Sequence, residues 1–434
     1  MTDDGRPTDD TAPTSGRAAG PPAAPHGPLA GIRVLELGSF IAGPFAGQLL
    51  GDYGADVIKV EPPGTGDPMR RWGIVRDGES LWWPAIARNK RSVTIDLRDE
   101  RGRALLPALA AQCDIVIENF RPGRLDEWGL GYDTLSADNP ELVLVHISGF
   151  GQTGPLARNA GFGSVGEAMG GIRYTTGSPD RPPARAGISL GDALASMFGV
   201  IGALAALTGA RRSGTGQEVD VAIYEAVAAL MESTMADYEL AGVTRSRSGS
   251  VLPGVAPSNV YGTADGDEII IAGNADSVFA RLCGAMGRDD LATDERFATH
   301  EARGVNMAEL DALVGAWTSG HPTGALLQLL EDHAVPAGQI FTAKEMLTDP
   351  HYAARGMVQR MLNAHGASVP MTGVVPRFAS TPGAIRAGGP ALGEHTDIVL
   401  RELAGLDDGE IATLRRAGVL GDGAEHAAGR AGRR

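Results

Sequence analysis

Two side chains able to attack a carbonyl carbon stand three residues apart in GISLGDALASMFG, residues 187–199: Ser189 and Asp192. GISLG matches the G-x-S-x-G elbow of serine hydrolases, in which a buried strand feeds a sharp turn that exposes the hydroxyl. The residues before it, SPDRPPARA, are rich in proline and arginine and make no central strand, although a late histidine such as His395 offers a third member for a triad. Asp192 instead precedes ALASMFGVIGALAAL, an apolar run long enough for a buried helix. A carboxylate there caps the helix by accepting hydrogen bonds from its first N–H groups. The positive end of the helix dipole also favours the ionised form, and an ionised, oriented carboxylate is a competent nucleophile toward an activated acyl group. Both roles fit the pattern.

Further candidates flank this stretch. GFGSVG at 161–166 has the G-x-G-x-x-G spacing of dinucleotide sites but does not directly follow a strand, which favours a Gly-rich active-site or packing loop. RNKRS at 88–92 and ENFRPGRLDEWGLGY at 118–132 each sit at an end of a predicted strand. Charge runs of this kind are commonly solvated faces. Asn119 and Phe120 close DIVIENF, and Arg121 and Arg124 follow at once, which makes a nucleotide rim there. Arg173 and Arg185 are near Asp192 in sequence, as partners for a distal carboxylate or as surface charges. Cys113 and Cys283 lie in no C-x-x-C or His-rich context, so neither a disulfide framework nor a metal site is expected.

The elements that must position these groups alternate. IRVLELG, ADVIKVE, RSVTIDL, DIVIENF and LVLVHISG read as buried strands, with PFAGQLLGDYG and ERGRALLPALAAQ as helices between them. The result is an α/β, mostly parallel, doubly wound sheet. Helices are predicted at about 191–210 and 217–240. Past Gly242 the pattern changes to short strands around a D-G turn followed by helices, a smaller α+β domain. From about Val335 the alternating elements return. The division is therefore 27–225 for the first part of the large domain, 226–335 for linker and small domain, and 336–420 completing the large domain. Residues 1–26 and 421–434 lack the apolar content to fold and are expected to be tails.

The formal charge of −15 and the lack of a basic stripe argue against a nucleic-acid ligand. Lysine occurs only at 59, 90 and 344, a bias read as compositional, so anions would be gripped by arginine forks. The N-terminus carries no signal-like segment and no window approaches a membrane span, which makes the cytoplasm the default.

Taken together, LAGIRVLELGSFIAGPFAGQLLGDYGADVIKVEPPGTGDPMR, NKRSVTIDL, DIVIENFRPG, GISLGD, GTGQEVDVAIYEA, TDPHYAARGM and LGEHTDIVL resemble the class III coenzyme A transferases, the family of formyl-CoA transferase, carnitine-CoA transferase and α-methylacyl-CoA racemase. The resemblance covers about residues 28–420. It implies a Rossmann-like large domain, a small domain and an interlocked homodimer whose site lies between one subunit's large domain and the other's small domain. It implies Asp192 as nucleophile, acyl-CoA and carboxylate as substrates, and no tightly bound cofactor. Carried over by position, the CoA site comprises Ile41, Ala42, Ile95, Arg98, Asn119, Phe120, Arg121 and the loop Ala160, Gly161, Phe162 and Gly163, with Arg124 at its rim. Oxyanion donors are expected from Gly161 to Gly166 or from Pro253 to Val255. Ile41 and Gly163 replace a glutamine and a glutamate of the formyl-CoA transferase branch, which points to a roomier, more apolar acyl pocket. Phe162 stands where the racemase branch has its histidine, and phenylalanine moves no proton, which favours transfer over racemisation. GFGSVGEAMGGIRY resembles the branch that uses succinyl-CoA and other dicarboxylic thioesters.

Overall fold

The computed structural model describes residues 27–363 and 366–422. Of the tails expected at 1–26 and 421–434, residues 1–26 and 423–434 lie outside the described residues, whereas Gly421 is held: its N–H donates to Thr94 Oγ1 at 3.1 Å.

Six segments form one parallel sheet: β1 Arg33–Glu36, β2 Asp56–Glu61, β3 Lys90–Thr94, β4 Ile115–Glu118, β5 Val143–Ser148 and β6 Gln217–Ala222. Their order is β3-β2-β1-β4-β5-β6. Continuous apolar runs suit this position, because a parallel sheet is covered on both faces. One face packs Val34, Val57, Ile117 and Val145 under α1 Ala42–Asp52 and the long helix Leu190–Ser213. The other packs Leu35, Ile58, Val93 and Leu144 under α2 Leu106–Ala111 and the C-terminal helices. The strand order reverses between β1 and β4, so a crevice opens at their carboxyl ends.

The helix predicted over 217–240 is a correction: residues 217–222 are the sixth strand. Gly214, at φ +73°, ends the preceding helix, and in QEVDVA the half-buried Val219 and buried Val221 alternate with exposed Glu218 and Asp220. The short helices α3 Gly163–Met169 and α5 Ile223–Ala228 pack against α4 Leu190–Ser213. By length and composition α4 could cross a membrane, contrary to the expectation that no window approaches such a span. Here Leu194, Ala195, Ala203, Ala206 and Leu207 join the core against the sheet, while Met197, Phe198 and Ile201 are exposed.

A second cluster, including Tyr261, Ile269, Phe279, Leu310 and Leu330, sits between β7 Ser258–Gly262, β8 Glu268–Ala272 and three helices: α6 Asp276–Ala285, α7 Met307–Thr318 and α8 Thr323–Asp332. The sheet is antiparallel, and its third strand is β9 Ala337–Gln339, just past the expected boundary at 335. After a hairpin, β10 Val358–Leu362 and β11 Ser368–Thr372, the chain runs along the outer edge of β3. His395 N–H donates to Ser92 O at 2.9 Å and Asp96 N–H to Val419 O at 2.8 Å, so the unpaired edge is covered. The helices α9 Thr396–Ala404 and α10 Asp408–Arg416 then complete the second face.

Candidate active site

Asp192 is the third residue of α4, not its cap. Ser189 holds the cap position, and its hydroxyl makes no capping bond. No regular element leads into Ser189 and, among the described residues, no histidine lines the cavity around it, while His395 lies beside β3, so the serine elbow has neither its strand nor a base there. The cavity has a volume of about 590 Å³ and opens between the loop after β1, the Asn119–Pro122 loop after β4 and the start of α3. Its walls include Phe40, Ile41, Trp72, Ile147, Phe162 and Ile223 around Asp192.

Backbone is pressed against the Asp192 carboxylate. A Cβ on Gly163 would lie 2.3 Å from Oδ2, so only glycine leaves room for the carboxylate at the start of α3. Gly191 is also close, though less tightly: its Cβ would meet Gly163 O at 3.0 Å and Glu167 Cγ at 3.1 Å. Gly161 packs on Gly149 between two loops and Gly166 on Ile223 between two helices, so the glycines of GFGSVG serve close backbone packing at the site. Glu167, 1% exposed, accepts from Gly191 N–H at 3.2 Å and from Arg173 Nε at 3.0 Å, which fixes the first turn of α4.

The electrostatics differ from the sequence expectation. Burial, with Glu167 adding repulsion and Arg185 opposing it, pushes the Asp192 carboxyl up to about 6. The helix end alone was expected to favour the ionised form, but desolvation and a second carboxylate outweigh it. At pH 7 such a group is still about nine-tenths ionised and more basic than a surface aspartate.

The loop after β1 is held by charge beneath it. Lys59 Nζ contacts Glu36 Oε1 and Asp67 Oδ2, each at 2.8 Å, and donates to Gly38 O at 2.9 Å. Lys90 Nζ reaches Glu36 Oε2 at 2.7 Å and Pro44 O at 2.6 Å. Asp67 Oδ1 in turn accepts from Phe40 N–H at 3.1 Å, and Phe40 sits in the left-handed region at φ +62° with its ring edge-on to Trp72. Two of the three lysines in the chain are thus buried at this loop, where they hold it in place. Sequence reasoning missed them.

A family model decides what the crevice belongs to: the one described as CoA-transferase family III matches residues 29–396. The chain belongs to CoA-transferase family III. It is an enzyme of that class. It is 55% identical over 397 residues to the succinyl-CoA–D-citramalate CoA-transferase of Chloroflexus aurantiacus, covering 91% of this chain and 99% of that one. It is 39% identical to the succinate–glutarate CoA-transferase of Agrobacterium fabrum, with 88% and 96% covered. A CaiB/BaiF family protein from Brucella suis superposes with a TM-score of 0.77 at 39% identity, over 87% of this chain and 100% of that chain.

Within this class III transferase the structure brings together Ile41, Ala42, Asn119, Phe120, Arg121, Ala160, Gly161, Phe162, Gly163 and Asp192 on one cavity. Arg124 lines the adjoining cavity of about 480 Å³ with Arg158, Tyr132 and His146, and Arg121 and Pro122 border both. Ile95 and Arg98 join neither. Ile95, 1% exposed, faces the core under α2 and α9, and Arg98 turns outward onto Asp96 at 2.8 Å. Asn119 is engaged twice with one residue: its Oδ1 accepts from Ser39 N–H and its Nδ2 donates to Ser39 O, both at 2.8 Å. RNKRS lies at the amino end of β3, away from the crevice. Arg88 pairs with Asp52, Arg91 with Asp56 and Glu402, and Lys90 with Glu36, so none of them is available to a phosphate. Of the second oxyanion candidate, Pro253 lines a different cavity, beside Leu252 and Arg245.

Proposed function

We propose that Asp192 carries CoA between a dicarboxylyl thioester, with succinyl-CoA as donor, and a second carboxylic acid. The observation that carries this reading is a carboxylate of raised basicity, packed on glycine backbone inside a largely apolar cavity. An Asp192 oxygen attacks the thioester carbonyl, the C–S bond breaks, and an acyl-aspartyl anhydride and CoA thiolate result. The thiolate attacks the aspartyl carbonyl of that anhydride, releases the first acid as carboxylate and leaves an aspartyl-CoA thioester. The acceptor carboxylate attacks this thioester and again expels the thiolate. The thiolate then takes the acceptor's acyl group and restores Asp192. Each step exchanges one acyl bond for another, so the chain needs no metal or redox group and holds CoA only as substrate.

Apolar walls such as Ile41 and Phe162 suit the sequence: they keep water from the anhydride and accept an acyl chain larger than formyl. The backbone of the Gly161–Ser164 turn is the nearest source of oxyanion donors. The neighbouring cavity, with Arg121, Arg124 and Arg158 at its wall, suits the CoA phosphates. All residues lining the Asp192 cavity fall between 39 and 223, so among the described residues nothing after β6 and the start of α5 closes it within one chain. Together with the exposed Met197, Phe198 and Ile201 on α4, this supports a homodimer whose partner's small domain covers the site. Two free, buried thiols, Cys113 and Cys283, suit a reducing compartment, the cytoplasm. The test is a panel of acyl-CoA donors and carboxylate acceptors with mass spectrometry of the CoA products. Formation of the acceptor's CoA thioester without free CoA accumulating supports the reading, and hydrolysis alone contradicts it.

A further inference from the structure

We propose that Arg185 selects the substrate, by pairing with the distal carboxylate of the four- or five-carbon acyl group that Asp192 receives. The inference rests on the transferase reading above and extends it to the residue that distinguishes dicarboxylic from monocarboxylic acids.

A dicarboxylyl chain brings a second anion into the cavity that holds Asp192. Its walls are mainly apolar there, and Glu167 is already close enough to repel the Asp192 charge. A further unpaired carboxylate in this place is costly without a counter-charge. The distal carboxylate of a four-carbon chain, built from C–C bonds of about 1.5 Å, lies roughly 5 Å from the carbonyl end, so the cation that pairs with it stands about 3 Å farther out.

Three arginines compete for the role. Arg173 is occupied: its Nε donates to Glu167 Oε2 at 3.0 Å, and it lines no part of the Asp192 cavity. Arg121 has no carboxylate partner among the described residues, but it stands where the Asp192 cavity meets the Arg124–Arg158 cavity, a place suited to the CoA moiety. Arg185 lines the Asp192 cavity, pulls on the Asp192 charge and forms no ion pair among the described residues. The residue before it is held: the Ala184 N–H donates to Thr176 O at 2.9 Å, and Gly177 lies against Ala184. Arg185 is therefore a free guanidinium presented from a tethered loop to the mouth of the cavity. Its planar fork matches a carboxylate with two parallel hydrogen bonds.

The experiment compares succinyl-CoA with butyryl-CoA, which has the same four-carbon chain ending in methyl. Formation of the covalent CoA adduct is followed by intact-protein mass spectrometry with enzyme in excess, so that a slow donor is still read. It is run at pH 8, where Asp192 stays ionised with or without its arginine. In Arg185→Gln the ratio of succinyl-CoA to butyryl-CoA rates is expected to fall about 10- to 100-fold, the value of a charge-assisted hydrogen bond. Arg185→Lys is expected to recover part of it. An unchanged ratio, whether both rates fall together or neither does, overturns the assignment. If wild-type enzyme forms no adduct from either donor, the transferase reading fails instead.

Discussion

Two groups of buried charge lie within a few residues of the same crevice and are treated in opposite ways. Under the loop after β1, Glu36, Lys59, Asp67 and Lys90 are each under 5% exposed and every charge meets an opposite one. Burial alone would raise the Glu36 carboxyl, but Lys59 and Lys90 reverse it and hold it below the usual range. Lys59 is held above the lysine range against its burial by Glu36 and Asp67, whereas burial brings Lys90 down to about 8. At Asp192 burial is left largely uncompensated, the nearest carboxylate repels, and the group rises to about 6. Matched charges fix a loop; an unmatched one is left reactive. The functional group is accordingly the less stable of the two.

The contrast is broken most severely at the matched cluster. Lys59→Met leaves Glu36 and Asp67 short of a partner in the interior, and a loss of about 3–5 kcal/mol in denaturant melts is expected. A loss below about 1 kcal/mol would mean that the cluster does not hold the loop. Gly163→Ala places a Cβ against Oδ2 and displaces the Asp192 carboxylate. The expected result is a fall of about 10²-fold in kcat with the melting temperature little altered. Asp192→Asn tests the opposite sign. Because the folded Asp192 pKa is raised above its unfolded value of about 3.9, the stability tied to its protonated form is complete below pH 4 and lost as pH rises through about 6. Relative to wild type, Asp192→Asn should therefore be inactive yet more stable by about 1–2 kcal/mol at pH 8, after allowance for partial solvent exposure, and equal to it near pH 4. By the same titration, wild-type turnover should drop about tenfold per pH unit below 6.

The first five strands were legible because their aliphatic runs suit a doubly wound sheet. β6 was not: its exposed residues, Gln217, Glu218 and Asp220, are polar, and apolar helical segments flank it. Asp192 stood out through its local pattern and the family resemblance. The direction of its pKa shift did not, because the burial that raises it and the repelling carboxylate of Glu167, from another helix, both arise only on packing. RNKRS was misplaced for a related reason: its ion partners Asp52, Asp56 and Glu402 are set by tertiary packing, and the run sits at the amino end of its strand. Asn119 was found as a site residue, but its bonds to Ser39 make it the clamp of the β1 loop as well.

Tandem mass spectrometry of the peptide spanning Ala186 to Arg211, after brief reaction with succinyl-CoA, addresses the central claim directly because it contains both Ser189 and Asp192. The account predicts a CoA thioester on the Asp192 side chain, absent in Asp192→Asn. An adduct on Ser189, or turnover without any adduct in this peptide, would contradict it.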